Sequence, residues 1–411
     1  MLSAEIVAIG SELLTPTRTD TNSLWLTEKL NDVGIEVMLK TIVGDDGARL
    51  EEAVGDAMRR SDIVITTGGL GPTADDITRE VTAKAVGREL VYCDEIEEHL
   101  RQRFRSWGRE MPEINKRQAY VIDGATVLPN PNGSAVGMMA DIDGRLLVVL
   151  PGPPRENQPM FTDHVLPRLR ENAGDVHVVR RVIKVSGMGE SAVDEIAAPI
   201  YTRYEGVQTS VLFNKSEVEV HLAARSSDAD DAETAVDKLS DELATALGKA
   251  VFSTNGESME AVVGRLLKER SETLSVAESC TGGLIGRRIT EVPGSSAYFL
   301  EGAITYSNAA KTRTLGVSPD ILETHGAVSA ECAEAMAAGM RKYAASTHAV
   351  SVTGIAGPDG GSEEKPVGTV FIGYAGPNAT KSLKLVLPGD RDLIRWRSSQ
   401  AALDYLRRQL S

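Results

Sequence analysis

The segment Asp62–Asp76, DIVITTGGLGPTADD, joins an apolar run to a glycine-rich stretch that ends in two carboxylates. Its first part, Asp62–Thr66, predicts a short buried strand. Glycines follow at Gly68, Gly69 and Gly71, and they let backbone N–H groups crowd around an anion where the next helix begins. The order of strand, glycine loop and helix predicts an α/β fold with a ligand site at the loop.

A dinucleotide-binding fingerprint beginning at Gly69 is a weaker interpretation of this loop. The loop follows the third predicted strand rather than the first, and Pro72 removes an N–H donor. Asp75 and Asp76 would repel a bare pyrophosphate, whereas a divalent cation between them would reverse that effect. The two carboxylates could also serve only as acidic residues in the first turn of a helix, but that role leaves the glycines unexplained.

The chain of 411 residues is long enough for two or three domains. Apolar runs alternate with helical patterns over residues 1–172 and predict a three-layer domain built on a parallel sheet. Residues 173–254 read as a small α+β module, and residues 255–411 as a second α/β domain. In the small module Gly187–Gly189 offers no GxxG clamp and the second helix is acidic, which favours a spacer or dimerisation role over RNA binding.

Three predicted elements bear on the candidate sites. The patterns predict a helix over Asp75–Val86, a helix from about Gly282 to Glu291 and a strand over Ala303–Tyr306.

Composition disfavours several functions. The 59 acidic and 44 basic residues give a net charge of −15, which disfavours direct nucleic-acid binding. No signal peptide or transmembrane segment is apparent, so no membrane contact is expected. The three cysteines are far apart, as expected for a reducing cytoplasm, which is the predicted location.

A second motif, AESCTGG (Ala277–Gly283), offers two adjacent nucleophiles. Ser279 lies between a predicted strand and a predicted helix, where free N–H groups of the first turn could receive a carbonyl oxygen. Gly282 and Gly283 would let a ligand approach the backbone. Alternatively, Ser279 or the nearby threonine only caps the helix.

Cys280 is the competing nucleophile. A cysteine of this kind needs a base, usually histidine, and the nearest one along the chain is His325 in a predicted loop. If Ser279 faces a cleft, its neighbour faces the core and behaves as a small apolar residue.

Further candidates follow along the chain. Lys311 in TYSNAAK could be a buried, neutral base, with Tyr306 nearby, although most lysines lie at the surface. Thr353 ends a predicted strand before a glycine-rich loop that begins at Gly354. Arg391 could bind a phosphate or form a surface ion pair.

The motifs VAIGSELL, DTNSLWL, TTGGLGPTADD and PGPP resemble the molybdopterin-binding (MoaB/Mog-like) domain of the CinA family. The resemblance implies a nucleotide-diphosphate site and, in some members, a metal-dependent ADP-ribose pyrophosphatase. The family commonly has Asp where this chain has Ser11, so binding is expected more than hydrolysis. The implied binding residues are Gly68, Gly69, Gly71, Asp20 and Asn22, with Asp75 and Asp76 as tentative ligands of a divalent metal.

The C-terminal motifs AESCTGG, TYSNAAK, HGAVS and VTGIAGPDGG resemble the nicotinamide-nucleotide amidohydrolase domain of the same family, after a small KH-like module. The resemblance implies hydrolysis of NMN to nicotinate mononucleotide and ammonia in NAD recycling, without a cofactor, and a homodimer. It assigns Ser279 as nucleophile, Lys311 as base and Tyr306 as an assisting residue. The implied substrate-binding residues are Thr353, Gly282, Gly283, Gly354 and Arg391.

Two alternatives stay open. The chain could be a nucleotide sensor or an interaction protein linked to competence and DNA damage, which binds without turnover. The N-terminal domain could instead be the main catalyst, acting on ADP-ribose.

Overall fold

A computed structural model describes residues 2–174 and 176–411. The chain forms two compact units. One comprises the residues up to Val178 with Arg225–Ala232, and the other comprises Val179–Ala224 with Glu233–Ser411. The three-domain division at residues 172 and 254 stays a prediction.

The N-terminal region contains eight strands and six α-helices among the described residues. The strands are β1 (Ser3–Ile9), β2 (Glu36–Val43), β3 (Ile63–Thr67), β4 (Leu90–Tyr92), β5 (Tyr120–Ile122), β6 (Thr126–Leu128), β7 (Gly137–Ile142) and β8 (Arg145–Leu150). The helices are α1 (Asn22–Asp32), α2 (Gly47–Arg60), α3 (Thr78–Ala85), α4 (Asp94–Ser106), α5 (Pro154–Met160) and α6 (Leu166–Ala173).

Six of these strands form one sheet in the order β2-β1-β3-β8-β7-β6. The first four are parallel, and β7 and β6 extend the sheet in antiparallel fashion. One apolar core packs α2, α3 and α4 against one face, and another packs α1, α5 and α6 against the opposite face. The predicted three-layer α/β architecture is therefore confirmed, with an antiparallel extension that the patterns did not predict.

The small module follows the order β-α-β-β-α-β. Its elements are β9 (His177–Ser186), α7 (Glu190–Tyr201), β10 (Val207–Asn214), β11 (Glu217–Ser226), α8 (Ala229–Leu247) and β12 (Val251–Ser253). The sheet order is β10-β11-β9-β12, and β10 and β11 form an antiparallel hairpin. The KH-like α+β prediction is confirmed.

The C-terminal region contains a five-stranded mixed sheet in the order β14-β13-β15-β16-β17. Its strands are β13 (Leu274–Glu278), β14 (Phe299–Ile304), β15 (His348–Gly354), β16 (Thr369–Ala375) and β17 (Thr380–Val386). Its helices are α9 (Met259–Arg270), α10 (Leu284–Thr290), α11 (Asn308–Leu315), α12 (Pro319–Thr324), α13 (Ala330–Ala344) and α14 (Arg391–Leu410). Helices α9, α10 and α14 pack against one face and α13 against the other.

Parallel strands bring their carboxyl ends to one edge of a sheet, where ligands of open α/β folds bind. In the C-terminal sheet β13 and β14 are parallel, so the residues after them, Ser279 and Thr305, come to the same edge. In the N-terminal sheet the parallel strands β3 and β8 bring Gly68 and Pro151 together at the corresponding edge.

Two predicted elements were misplaced near the sites. Helix α3 begins at Thr78 instead of Asp75, because the glycine loop continues through Ile77 before the helical hydrogen bonds begin. Strand β14 covers Phe299–Ile304 instead of Ala303–Tyr306, because it pairs along the full length of β13.

Candidate functional site

Ser279 and Lys311 are in contact at the carboxyl edge of the C-terminal sheet. Their Oγ and Nζ atoms are 3.1 Å apart, although the residues are 32 positions apart in sequence. The two side chains are almost fully buried, with exposed fractions of 8% for Ser279 and 1% for Lys311. Ser279 follows β13, and Lys311 lies in the first turn of α11, whose N-cap is Ser307.

The surroundings of Lys311 favour its neutral form. Its Nζ atom donates to the carbonyl oxygens of Thr305 at 2.9 Å and Tyr306 at 3.1 Å. Among the described residues no carboxylate pairs with it. Burial lowers the pKa of Lys311, and the neighbouring thiols of Cys332 and Cys280 oppose this only in part. Nζ also donates to Ser279 Oγ in this structure; in the neutral form the two carbonyls would take both N–H donors and leave the lone pair for Ser279 Oγ.

Cys280 is packed into the apolar core of the C-terminal region. Burial raises the pKa of its thiol to about 11, although the N–H groups of Cys280 and Thr281 oppose the rise. The thiolate is therefore scarce at neutral pH. The prediction that Cys280 faces the core is confirmed.

Glu278 closes the N-terminus of α10. Its buried carboxylate, 2% exposed, accepts hydrogen bonds from the N–H groups of Gly283 at 3.0 Å, Ile285 at 3.1 Å and Gly286 at 2.9 Å. The expectation that the first turn of this helix offers free N–H groups to a carbonyl oxygen is therefore wrong. The expectation that Ser279 or Thr281 caps it is wrong as well, because the N-cap is Gly283 and has no side-chain cap.

Two other backbone donors lie beside Ser279. Among the described residues the N–H groups of Cys280 and Thr281 meet no oxygen acceptor, whereas Ser279 N–H donates to Val352 O at 3.0 Å. The hydroxyls of Thr281 and Thr305 are buried and lack a partner within the described part of the chain. These groups have hydrogen-bonding capacity that no oxygen acceptor in the described part of the chain uses.

Tyr306 and Arg391 meet at the solvent side of this site. The Tyr306 side chain is 62% exposed, and its hydroxyl lies 3.5 Å from Arg391 Nη2. Arg391 also donates to Gly357 O at 2.7 Å, in the glycine-rich loop that follows β15. The Tyr306 carbonyl, rather than its ring, contacts Lys311.

The remaining predicted residues of this site shape its backbone. Gly282 and Gly283 have φ angles of +60° and +94°, which favour glycine. Thr353 is buried and donates to Ala327 O at 2.7 Å. Gly354 ends β15, where an added Cβ would lie 2.8 Å from a Val370 methyl group.

Sequence reasoning missed two residues here, Glu278 and Arg395. Arg395 lies one turn beyond Arg391 in α14 and donates to Thr281 O at 2.8 Å, so two guanidinium groups of one helix reach the site. Their spacing of four residues was the available signal, because residues four apart lie on the same side of a helix. Glu278 had no signal, because its three bonds depend on the turn that follows β13.

The N-terminal unit contains a cleft of about 850 Å³ at the carboxyl edge of its sheet. Asn22 donates to Thr67 Oγ1 and Gly152 O there, and its own carbonyl oxygen is buried without a partner among the described residues. Asp20 accepts from Ser23 N–H at 3.0 Å. The lining includes the predicted residues Asp20, Asn22, Gly68, Gly69, Gly71 and Asp76.

The two tentative metal ligands lie in different positions. Asp76 lines the cleft, but its carboxylate accepts the N–H and hydroxyl of Thr73. Asp75 is exposed and is not part of the lining. Within residues 2–174 and 176–411 no three His, Cys, Asp or Glu side chains are close enough to hold a metal ion. These residues do not form a prepared metal site, and metal binding by Asp75 and Asp76 stays a prediction.

Ser11 forms a reciprocal pair with Asp45. Ser11 N–H donates to the Asp45 carboxylate at 2.9 Å, and Asp45 N–H donates to Ser11 Oγ at 3.0 Å. A carboxylate at position 11 would stand beside that of Asp45 and lose this arrangement. Ser11 therefore has a structural partner in this chain.

No helix in the described ranges has the length and apolar character needed to cross a membrane.

Comparison with known proteins agrees with this architecture. Family models match residues 5–171 ("Probable molybdopterin binding domain"), 180–253 ("Damage-inducible protein CinA KH domain") and 256–410 ("CinA C-terminal domain"). The fold and the two sites thus define a protein that joins a molybdopterin-binding-type domain, a KH-like module and a CinA-type α/β domain.

The chain belongs to the CinA family. It is 47% identical over 410 residues to a CinA-like protein of Solibacter usitatus, covering 100% of this chain and 99% of the relative. It is 49% identical over 411 residues to a CinA-like protein of Koribacter versatilis, covering 99% of each. A crystal structure of the competence/damage inducible protein CihA from Agrobacterium tumefaciens is 40% identical, covers 38% of this chain and 96% of its own, and has a TM-score of 0.35.

Proposed function

We propose that the C-terminal site is a serine–lysine amidohydrolase that converts NMN and water to nicotinate mononucleotide and ammonia. The contact between Ser279 Oγ and Lys311 Nζ carries the proposal. A serine needs a nearby base to become a nucleophile, and a buried lysine with a lowered pKa can be that base.

The reaction proceeds through an acyl-enzyme. Lys311 takes the hydroxyl proton of Ser279 while Oγ bonds to the carboxamide carbon, and it then passes the proton to the departing nitrogen as the C–N bond breaks. Ammonia leaves, and a water molecule, activated by the same amine, cleaves the ester to give the carboxylate and restores Ser279. The N–H groups of Cys280 and Thr281 are the donors available to the oxyanion.

The entrance of the site suits a nucleotide monophosphate. Arg391 and Arg395 bring two guanidinium groups to it from α14, and guanidinium binds phosphate in a bidentate manner. Tyr306 offers an exposed ring and hydroxyl at the same entrance. The phosphate would lie near α14 while the carboxamide reaches Ser279.

Ammonia release from NMN, followed over time with the full chain, tests the proposal. Ser279→Ala should abolish turnover, and Lys311→Met should lower kcat by about 10²–10⁴, because general-base assistance is lost. Lys342→Met is the matched control, since Lys342 is an exposed lysine of α13, and it should retain wild-type turnover. Substantial turnover by Ser279→Ala would refute the serine–lysine assignment.

A sensor or an interaction protein linked to competence or DNA damage is the alternative. Such a protein would bind NMN without releasing ammonia from it. Binding of NMN by calorimetry without any turnover by the wild-type chain would favour the sensor. Homodimer formation and a cytoplasmic location remain part of the proposal drawn from the family.

We further propose that the N-terminal cleft binds a nucleotide diphosphate such as ADP-ribose. The support is a cleft of about 850 Å³ that the glycine loop lines together with Asp20 and Asn22. Calorimetric titration with ADP-ribose, with and without MgCl₂, tests binding, and release of AMP tests hydrolysis. Because Ser11 replaces the usual Asp, we expect binding without appreciable AMP release.

A further inference from the structure

The side chain of Arg79, which ends in a guanidinium group, has no exposed surface. It lies in the first turn of α3, directly behind the glycine loop of the N-terminal cleft. Its Nη2 atom donates to Leu70 O, whereas Nε and Nη1 meet no partner among the described residues. Burial of a cation with two nitrogen atoms that make no hydrogen bond costs folding free energy. A functional role for Arg79 would account for this cost.

The carbonyl groups of the loop point toward α3. Thr78 Oγ1 donates to Gly68 O at 2.9 Å, and Thr78 N–H donates to Gly69 O at 3.3 Å. Leu70 O accepts from Arg79 and also from Gln118 Nε2, at 3.3 Å from the latter. The carbonyl oxygens of three successive residues, 68 to 70, thus accept hydrogen bonds from Thr78 and Arg79 of α3.

The N–H groups of the same peptides must then point the other way. In a planar trans peptide the N–H is antiparallel to the C=O of the preceding residue. Inward carbonyls at 68, 69 and 70 therefore direct the N–H groups of Gly69, Leu70 and Gly71 away from α3. These three donors meet no acceptor in the described parts of the chain, and their residues line the cleft. Successive outward N–H groups of this kind bind anions.

Among the residues that the structure describes, no carboxylate is bonded to the Arg79 guanidinium. Burial is the largest influence and lowers the pKa of Arg79; Glu80 and Asp76 oppose this, and Arg117 adds to it. Glu80 instead bonds to Arg117 at 2.9 Å, and Asp76 bonds to Thr73. Both nearby carboxylates therefore have other partners.

We propose that Arg79 is a positioning residue of the cleft. It holds Leu70 O inward and supplies, from behind the loop, the positive potential for a phosphate or pyrophosphate bound to the N–H groups of Gly69, Leu70 and Gly71. The inference rests on the proposed nucleotide-diphosphate site and adds to it the residue that balances the charge of the ligand. Arg79 does not touch the ligand.

Calorimetric titration of the full chain with inorganic pyrophosphate, with and without MgCl₂ because Asp76 also lines the cleft, tests the inference. Arg79→Gln keeps an N–H donor for Leu70 O but removes the charge, whereas Arg79→Lys keeps the charge. We expect Arg79→Gln to bind pyrophosphate about tenfold more weakly, the effect of losing one charged partner, and with less dependence on salt. Arg79→Lys should stay within about threefold of wild type, because the charge remains.

The controls separate charge from folding. Arg88→Gln removes an exposed arginine just beyond the same helix and should leave affinity unchanged. Thermal unfolding of each variant checks the fold, and Arg79→Met provides a second uncharged variant that leaves no buried amide.

Three outcomes would overturn the inference. Wild-type affinity in both Arg79→Gln and Arg79→Met would show that the charge is irrelevant. Equal weakening in Arg79→Lys and Arg79→Gln would show that only the shape of the guanidinium matters. If the wild-type chain binds neither pyrophosphate nor ADP-ribose, with or without Mg²⁺, the nucleotide-diphosphate proposal fails and the role of Arg79 fails with it.

Discussion

Lys311 lies between two backbone carbonyls and the hydroxyl of Ser279, and no carboxylate in the described part of the chain pairs with it. In water such an amine would be protonated at neutral pH and could not act as a base. Burial lowers its pKa, and the two carbonyls fix the position of its amine beside Ser279. The position of the Lys311 amine and its protonation state thus both depend on the packing around it.

The pH dependence of deamidation follows from this shift. Only the neutral amine accepts a proton, so its population grows as pH rises through the lowered pKa of Lys311. We expect kcat/KM for NMN to rise with pH and to reach a plateau below pH 10.5, the ordinary lysine value. A profile measured from pH 6 to 10 checks this, and activity that falls with rising pH throughout would contradict it.

Cys280 should be dispensable for catalysis. Because burial raises the pKa of its thiol to about 11, we expect Cys280→Ala to keep most of the NMN turnover and iodoacetamide to leave the wild-type chain active. Steady-state ammonia release measures both. An inactive Cys280→Ala variant that remains folded, alongside an active Ser279→Ala variant, would reverse the choice of nucleophile.

The turn between β13 and α10 depends on Glu278. Its carboxylate binds three N–H groups of that turn, and its carbonyl accepts Thr305 N–H at 2.8 Å. Thr305 in turn provides a carbonyl to Lys311. One residue therefore ties the end of β13 to α10 and to the end of β14.

Glu278→Ala should lower the free energy of unfolding by about 1–3 kcal/mol, because buried donors lose a charged acceptor. We also expect kcat for NMN to fall, since Ser279 is the next residue. Urea unfolding and steady-state kinetics measure the two effects. Glu291→Ala is the control, because this exposed residue of the same region forms a surface ion pair with Arg287, and it should change neither. If Glu278→Ala changed neither the free energy of unfolding nor kcat, Glu278 would not hold this turn in place.

We expect Arg391 and Arg395 of α14 to bind the phosphate of the substrate. We expect Arg391→Ala and Arg395→Ala each to raise KM for NMN about tenfold, as for a lost charged hydrogen bond, with a smaller effect on kcat. Nicotinamide riboside, which lacks the phosphate, should be affected much less. Arg408→Ala, near the far end of the same helix, is the control. Equal losses with both substrates would mean that these arginines act on structure alone.

The two candidate sites belong to different units of the chain. They also differ in whether the proposed chemistry needs a metal ion. The mechanism proposed for Ser279 and Lys311 needs only proton transfer between side chains, whereas pyrophosphate chemistry in the N-terminal cleft would call on a divalent cation. The net charge of −15 disfavours nucleic acid as a ligand of the chain.

Deamidation of NMN should therefore be insensitive to chelation. We expect the full chain to release ammonia at the same rate in EDTA as in MgCl₂. Binding of ADP-ribose, measured in the same two buffers, provides the comparison for the N-terminal cleft. Loss of deamidation in EDTA that returns with added metal would contradict the proposed mechanism.

Much of the architecture was predictable along the chain. The apolar runs before AESCTGG and TTGGLGPTADD are strands because parallel strands are buried on both faces and need continuous apolar sequence. The short strands between Leu90 and Ile142 were not predicted, since brief runs of mixed polarity carry little periodic signal.

The candidate site, too, was predictable from the sequence only in part. Local sequence marked Ser279 and Lys311 as separate candidates, and family resemblance paired them, but neither could supply the 3.1 Å contact or the burial that lowers the pKa of Lys311. These arise where β13 and β14 lie side by side. Likewise, nothing in DDITRE showed that Arg79 would be buried behind the glycine loop. Strand, loop and helix follow from neighbours in the chain, whereas burial, charge state and free donors depend on groups that packing brings from elsewhere.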